Sequence, residues 1–201
     1  MAYTSCSGKI AQSIKMDCSK GLTGGYTGRA WYCDKSDIGS MTVDADGRIV
    51  SAITLATGGK SYAIDNLRFA DPFTGSTTTG VTDAGFVQFK KAFAVRVPMR
   101  GSDTAKNIIE AACNTARGGI LIVEKKDECG NGSYEVLGLD CGVKADPTTI
   151  TRDESANGGA WSMTLQCTEA HAENVFLVSD NGTPSLPLTL AAFEALLGAA
   201  E

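Results

Sequence analysis

The residues of this 201-residue chain that could do chemistry are dispersed. Its one histidine, His171, is flanked by Glu169 and Glu173, a triple from which a general base could be built. No serine, threonine or cysteine nucleophile is placed beside it, and a lone histidine near a strand end is more often a surface or interface residue. Asp127-x-Cys129-x-Asn131-Gly132 opens like a calcium loop. Cys129 stands where an oxygen ligand belongs, however, and the twelfth position is Gly138 instead of a bidentate glutamate, so the stretch reads as a turn. Gly59-Lys60-Ser61 ends like a phosphate loop, yet Thr54 occupies the position where the first glycine is required and no helix follows. The glycines at 21, 24, 25 and 28 also lack the flanking strand and helix such a loop needs. Asp140, Asp146, Asp153 and Glu154 form no recognisable carboxylate pair. Asn131-Gly132-Ser133 and Asn181-Gly182-Thr183 match a glycosylation pattern but read more simply as turns.

Seven cysteines, at 6, 18, 33, 113, 129, 141 and 167, make no C-x-x-C pair. They read as reduced thiols of a protein made in the cytoplasm, and a zinc site would need clustered ligands, which these irregular spacings and the single His171 do not offer. The expectation is a chain with no enzymatic activity, no metal and no cofactor.

The elements that would have to position any site are clearer. Residues 102–170 are the best specified. Ser102 or Asp103 can cap a helix over about 103–117, whose Ala105, Ile108, Ile109, Ala112 and Ala116 recur at helical spacing, and Gly118-Gly119 would end it. Ile120 to Val123 is an unbroken apolar run, which fits a strand buried on both faces, and Tyr134 to Leu139 returns as its partner. Residues 146–159 read as an exposed loop. Trp161, Met163, Leu165 and Cys167 alternate with Ser162, Thr164 and Gln166 at the period of a half-buried strand, and Val175 to Val178 extends that sheet or begins another.

Earlier in the chain, Met41–Asp44 and Arg48–Leu55 flank Asp46-Gly47 and predict a β-hairpin. Tyr62–Asp65 predicts a strand, residues 66–85 a long polar loop anchored by Phe69 and Phe73, and Phe86–Met99 a long strand ended by Pro98 and Gly101. These elements add up to a mainly β (α+β) chain with one main helix and a short C-terminal helix; its arrangement as an antiparallel β-sandwich or barrel-like domain with that helix flanking it is what the family resemblance given below implies. The divisions are residues 1–40 as an N-terminal arm or loop region, 41–179 as the sandwich domain, and 180–201 as a linker followed by a Leu/Ala-rich helix. A net charge of −5 argues against a nucleic-acid binder held by phosphate neutralisation, no apolar run approaches membrane-spanning length, and no secretory leader is visible.

The segment GFVQFKKAFAVRVPMRGSDTAKNIIEAACNTARGGILIVEKKDECGNGSYEVLGLDCGVKA and the later NGGAWSMTLQCTEAHAENVF resemble the tail tube (major tail) proteins of tailed phages or prophages of Bacteroidetes-type gut bacteria. The resemblance spans about half of the chain. It implies a virion structural protein, synthesised in the bacterial host cytoplasm and placed in the tail. Such subunits self-assemble into stacked, usually hexameric, rings with joined sheets around a channel for double-stranded DNA. The implied partners are further copies of the chain, a tail terminator, a tape measure protein and a baseplate or tip, with no membrane. A lumen of negative potential would keep DNA from sticking. Residues 1–30, 66–85 and 146–159 are the segments expected to reach neighbours, with Tyr26, Trp31, Phe69, Phe73, Phe193 and Leu196 as inter-subunit contacts. A head decoration or other capsid-associated protein shares these features. A carbohydrate-binding module is the third reading, with Tyr26, Trp31, Tyr32 and Trp161 as stacking residues.

Overall fold

The computed structural model describes residues 25–65, 73–83, 85–98, 110, 112–125, 134–146, 148, 150–151, 160–172, 175–176, 178–180 and 183–186. These are mainly strands: β1 (Tyr26–Asp34), β2 (Ile38–Val43), β3 (Ile49–Leu55), β4 (Ser61–Asp65), β5 (Phe73–Val81), β6 (Val87–Pro98), β7 (Gly119–Lys125), β8 (Tyr134–Leu137), β9 (Lys144–Ala145), β10 (Ala160–Glu169), β11 (Val175–Phe176), β12 (Val178–Asp180) and β13 (Thr183–Leu186). A seven-stranded sheet has the order β2-β3-β11-β8-β7-β1-β4, a four-stranded sheet the order β5-β6-β10-β9, and β12 pairs with β13 alone. All pairings are antiparallel except that of β11 with β3.

Two apolar cores share one wall. Leu121 and Val123 of β7 join Ala30, Phe93, Val95, Met163 and Leu165 between the two sheets. Ile120 and Ile122, on the opposite face of the same strand, join Trp31, Val50, Ile53, Tyr134 and Val136. Strand β3 lies three places from β7 in the large sheet, about 14 Å away if the sheet were flat, which is beyond side-chain contact. Val50 and Ile53 share one buried cluster with Ile120 and Ile122, and Tyr134 and Val136 of the intervening β8 belong to it as well. The unbroken apolar run at 120–123 is the consequence: both of its faces are buried.

The expected hairpin forms as β2 and β3. Asp44 holds the turn by accepting the amides of Arg48 (2.6 Å) and Ile49 (2.8 Å), and Gly47 takes φ +74°. Strand β6 carries Phe93 and Val95 inward, and β10 matches it rung for rung from Ala160↔Pro98 to Glu169↔Phe89.

Four expectations are corrected. Residues 26–40 are not arm: β1 lies inside the large sheet between β7 and β4, and β2 follows after a short 3-10 turn. Their pattern is hard to read because β1 buries residues on both faces and carries Gly28 at φ +100° within an irregular register. Residues 73–81 are not loop but strand β5, nine residues long, paired with β6 from Phe73↔Val95 to Val81↔Val87. After Phe73 the strand is mostly Thr, Ser and Gly, exposed on both sides, so no alternation marks it, and the β-branched threonines supply its strand preference. The linker at 180–187 contains β13 in its hairpin with β12.

The fourth correction concerns the flanking helix. Residues 112–114 and Glu110 are helical, Ala112 is buried in the core between the sheets, and the helical turn stops at Asn114, four residues short of Gly118. Thr115 ends it by accepting the Gly118 amide through its hydroxyl (3.0 Å). The expected helical residues 103–109 and 111, the loop residues 152–159 and the C-terminal helix lie outside the described residues, as do residues 66–72 and 1–24.

Gly118 has φ +77°, and a Cβ there would meet the Gly142 backbone at 2.7 Å. Gly118→Ala is therefore expected to cost about 1–3 kcal/mol in a urea titration. Gly80→Ala, with ordinary φ and nothing within 4 Å of its Cβ, is expected to stay within about 0.5 kcal/mol of the parent.

Candidate functional site

The polar residues that the fold brings together gather at the turn after β8. Gly138 leaves β8 with φ +94°, and the Gly142 amide closes the turn on the Gly138 carbonyl at 3.1 Å. Glu169, at the end of β10, is 1% exposed and turns its carboxylate inward. Oε1 accepts the amides of Gly138 (2.5 Å) and Leu139 (2.8 Å), and Oε2 meets the Lys91 ammonium of β6 at 2.5 Å. Lys91 is itself 2% exposed. Lys35 reaches the same turn from the other side and donates to the carbonyls of Leu139 (2.7 Å) and Asp140 (2.9 Å). The Ala170 amide donates to the Asp140 carboxylate at 2.8 Å. These contacts fix the 138–142 turn between the sheets. A carboxylate saturated by a lysine and two amides is held in place, which suits a structural clamp better than proton transfer.

The imagined base is not assembled. His171 is half-buried against the β2–β3 turn, where its Nε2 lies 3.4 Å from the place a Gly47 Cβ would take. Glu169 is occupied by Lys91, and Glu173 lies outside the described residues. Gly59-Lys60-Ser61 connects β3 to β4, with a strand after it instead of a helix. Among the described residues no three His, Cys, Asp or Glu side chains converge as a metal site would require.

The expected contact residues take different places. Trp31 is 2% exposed and packs edge-on against Tyr134, with ring centroids 6.0 Å apart. Phe73 is buried against Phe93 at 5.6 Å. Tyr26 is half-buried, packs edge-on against Phe93 at 5.0 Å and donates its hydroxyl to Glu135 at 2.9 Å. Phe69, Phe193 and Leu196 lie outside the described residues. Tyr32 is a core residue, and Trp161 packs on the core from its rim. Among the described residues, the large apolar side chains left in water are instead Val81 (70% exposed), Phe86 (56%) and Val87 (56%), at the tip of the β5–β6 hairpin. Sequence reading misses them because it places two of the three in or at the margin of a loop; a Val-x4-Phe-Val cluster with no apolar neighbour to alternate with is the available signal.

Strand β5 is also a bare edge. It closes one side of the four-stranded sheet with no strand beyond it among the described residues, and it contains no charge and no proline. At the opposite edge, β9 pairs with only Leu165 and Gln166 of β10, and Thr151 bridges Ser162. The described outer face of this sheet is largely polar. Register puts Thr74, Ser76 and Thr78 beside Ala94, Ala92 and Lys90, facing away from the core. Its charged groups are Lys90, Arg96 and Lys144, and Asp146 at the margin is bound by the Thr148 hydroxyl at 2.6 Å.

Comparison with family models, with curated proteins and with solved structures gives no match to this chain. No described helix is long and apolar enough to cross a membrane.

Two buried thiols give the fold an alkaline limit. Burial foremost, then Asp37 and Asp34, pushes Cys33 up to about 12, and burial foremost, then Glu169, pushes Cys167 up to about 12. The unfolded thiols titrate near 9. Between pH 9 and 12 the unfolded chain therefore holds fewer protons than the folded one, so stability falls as pH rises. A series of urea midpoints is expected to be level from about pH 7 to 8 and to decline above about pH 9. A Cys33→Ala/Cys167→Ala variant is expected to flatten that decline.

Proposed function

We propose that this chain is a self-assembling virion structural protein, the tail tube subunit of a tailed phage, whose copies form stacked hexameric rings around a DNA channel. The observation that carries the reading is strand β5: a nine-residue edge without charge or proline, on a sheet whose far edge is only partly covered. A long bare edge is a template for pairing with another chain, and soluble monomers normally blunt it. Two different edges on one sheet suit a heterologous contact, in which the β5 edge of one copy meets the β10 side of the next. Contacts of that kind close into rings when the rotation between copies allows it. The apolar tip of the β5–β6 hairpin extends beyond the core and suits a contact with a copy in the adjacent ring.

The test is negative-stain electron microscopy across a concentration series. Hollow tubes or stacked rings of uniform diameter are the expected result. A monodisperse small oligomer that attaches only to preformed capsids would sink the tube reading in favour of head decoration. Val81→Ser, Phe86→Ser and Val87→Ser together are expected to leave stability nearly unchanged, since the side chains are already in water, while raising the concentration needed for assembly.

The outer face of the four-stranded sheet suits the lumen less well, since the charged groups described on it are Lys90, Arg96 and Lys144, with a single carboxylate, Asp146, at its margin. Cations there would hold the phosphates of a passing duplex, so this face fits the outer wall of a ring better than the channel.

A further inference from the structure

Cys141 and Cys167 line one open cavity of about 430 Å³, together with Gly142, Lys144, Gln166 and Thr168. They differ in access, since Cys141 is exposed and Cys167 is buried at the end of β10. The 138–142 turn that carries Cys141 is fastened to β10 on both sides of this pair. Glu169, two residues beyond Cys167, holds the amides of Gly138 and Leu139, and the Ala170 amide holds Asp140. Beyond the turn, Lys144 and Ala145 pair with Gln166 and Leu165. The sulfur of Cys167 also lies close enough to the turn for the Gly138 amide to favour its thiolate. Both thiols are therefore held at one sheet edge mainly by backbone pairing and by the Glu169 and Asp140 contacts.

We propose that Cys141 and Cys167 are a redox pair that closes into an intramolecular disulfide on exposure to a small-molecule disulfide oxidant. The exposed Cys141, as thiolate, attacks one sulfur of the oxidant. The oxidant's S–S bond breaks, and one thiolate leaves and takes up a proton. Cys167 then gives its proton to water and attacks the Cys141 sulfur of the mixed disulfide, expelling the second thiolate. Two protein thiols are oxidised, and one oxidant disulfide is reduced to two thiols. Cys141 is the entry point because it is the accessible sulfur. Cys167 is the slow resolving thiol, since burial holds it protonated. The closed bond would tie the turn to β10 covalently, beside the Glu169 clamp. Among the described residues the other buried thiol, Cys33, lies against the Lys60 carbonyl and has no part in this pair.

The experiment treats the folded, reduced full chain with oxidised glutathione at neutral pH, then blocks remaining thiols and maps the peptides. The expected product links the Cys141 and Cys167 peptides with the loss of two hydrogens. Cys167→Ser is expected to stop at a glutathione adduct on Cys141. In Cys141→Ser, the Cys167 thiol is expected to react at least about tenfold more slowly than in the parent, because burial closes direct attack. Parent protein that stops at the Cys141 adduct with Cys167 still reduced overturns the proposal, and so does Cys167 reacting at the parental rate in Cys141→Ser. The decisive reading is on the unmutated chain, so a variant that fails to fold leaves the test intact. It is made on soluble protein and does not depend on whether tubes form.

Discussion

Glu169→Ala is expected to lower folding stability by about 3–5 kcal/mol, the largest effect of any single substitution away from the apolar cores. The physical reason is what remains behind. Lys91 is 2% exposed and meets the Glu169 carboxylate at 2.5 Å, so removing that carboxylate strands an ammonium group between two sheets. The amides of Gly138 and Leu139 lose their acceptor at the same time. Lys91→Met is expected to be milder, about 1–3 kcal/mol, because the orphaned carboxylate keeps two amide donors. The asymmetry identifies the role of the pair. If the two single variants prove equally unstable in urea titrations, the carboxylate is merely a counter-ion and the turn is held by something else. The combination Lys91→Met/Glu169→Gln is expected to be no worse than Lys91→Met alone, since the introduced side-chain amide still offers a carbonyl to the turn.

The second large effect concerns assembly. Thr77 and Thr78 are successive residues of β5, so one backbone amide points toward β6 and the other away from it. Proline at the outward position removes a donor from the free edge without breaking a bond inside the sheet. That variant is expected to unfold at nearly the parental urea concentration and to raise the concentration needed for rings or tubes at least about tenfold, the equivalent of about 1.4 kcal/mol per contact. Proline at the inward position is expected to weaken the hairpin itself. If both variants assemble like the parent, the β5 edge is not where copies meet, and the tube reading loses its main support.

The sequence discloses the elements whose two faces differ. β10 alternates because one face meets the core and the other meets water, and the β2–β3 hairpin is announced by Asp46-Gly47. β7 is legible for the opposite reason, being apolar along its buried run. What escapes are strands without contrast. β1 is buried on both faces yet interrupted by Gly28, and β5 is exposed on both faces after Phe73. The turn clamp is equally hidden. Lys91 looks like an ordinary polar break in an apolar strand face, and Glu169 stands beside the histidine that draws attention instead. Nothing local to either residue says that the other lies diagonally across the strand pair at 2.5 Å; the contact exists only once β6 and β10 are in register. Trp31, expected at a subunit contact, is instead buried edge-on against Tyr134, a partner 103 positions away that no window of sequence records.

The place of β1 also sets an order of events during synthesis. Its two neighbours are β4, complete by Asp65, and β7, complete only at Lys125, and its Tyr26 hydroxyl bonds to Glu135, 109 residues away. At a ribosomal speed of about 5–20 residues per second, one hydrogen-bonding edge of β1 waits some seconds for the strand that pairs with it. Such distant pairings make folding slow, and a waiting strand with two apolar faces attracts the same strand in a neighbouring nascent chain. A chain made in many copies at once, as a tube subunit would be, therefore carries its greatest aggregation hazard in β1, which still waits for β7 after the edge that suits orderly assembly has been translated.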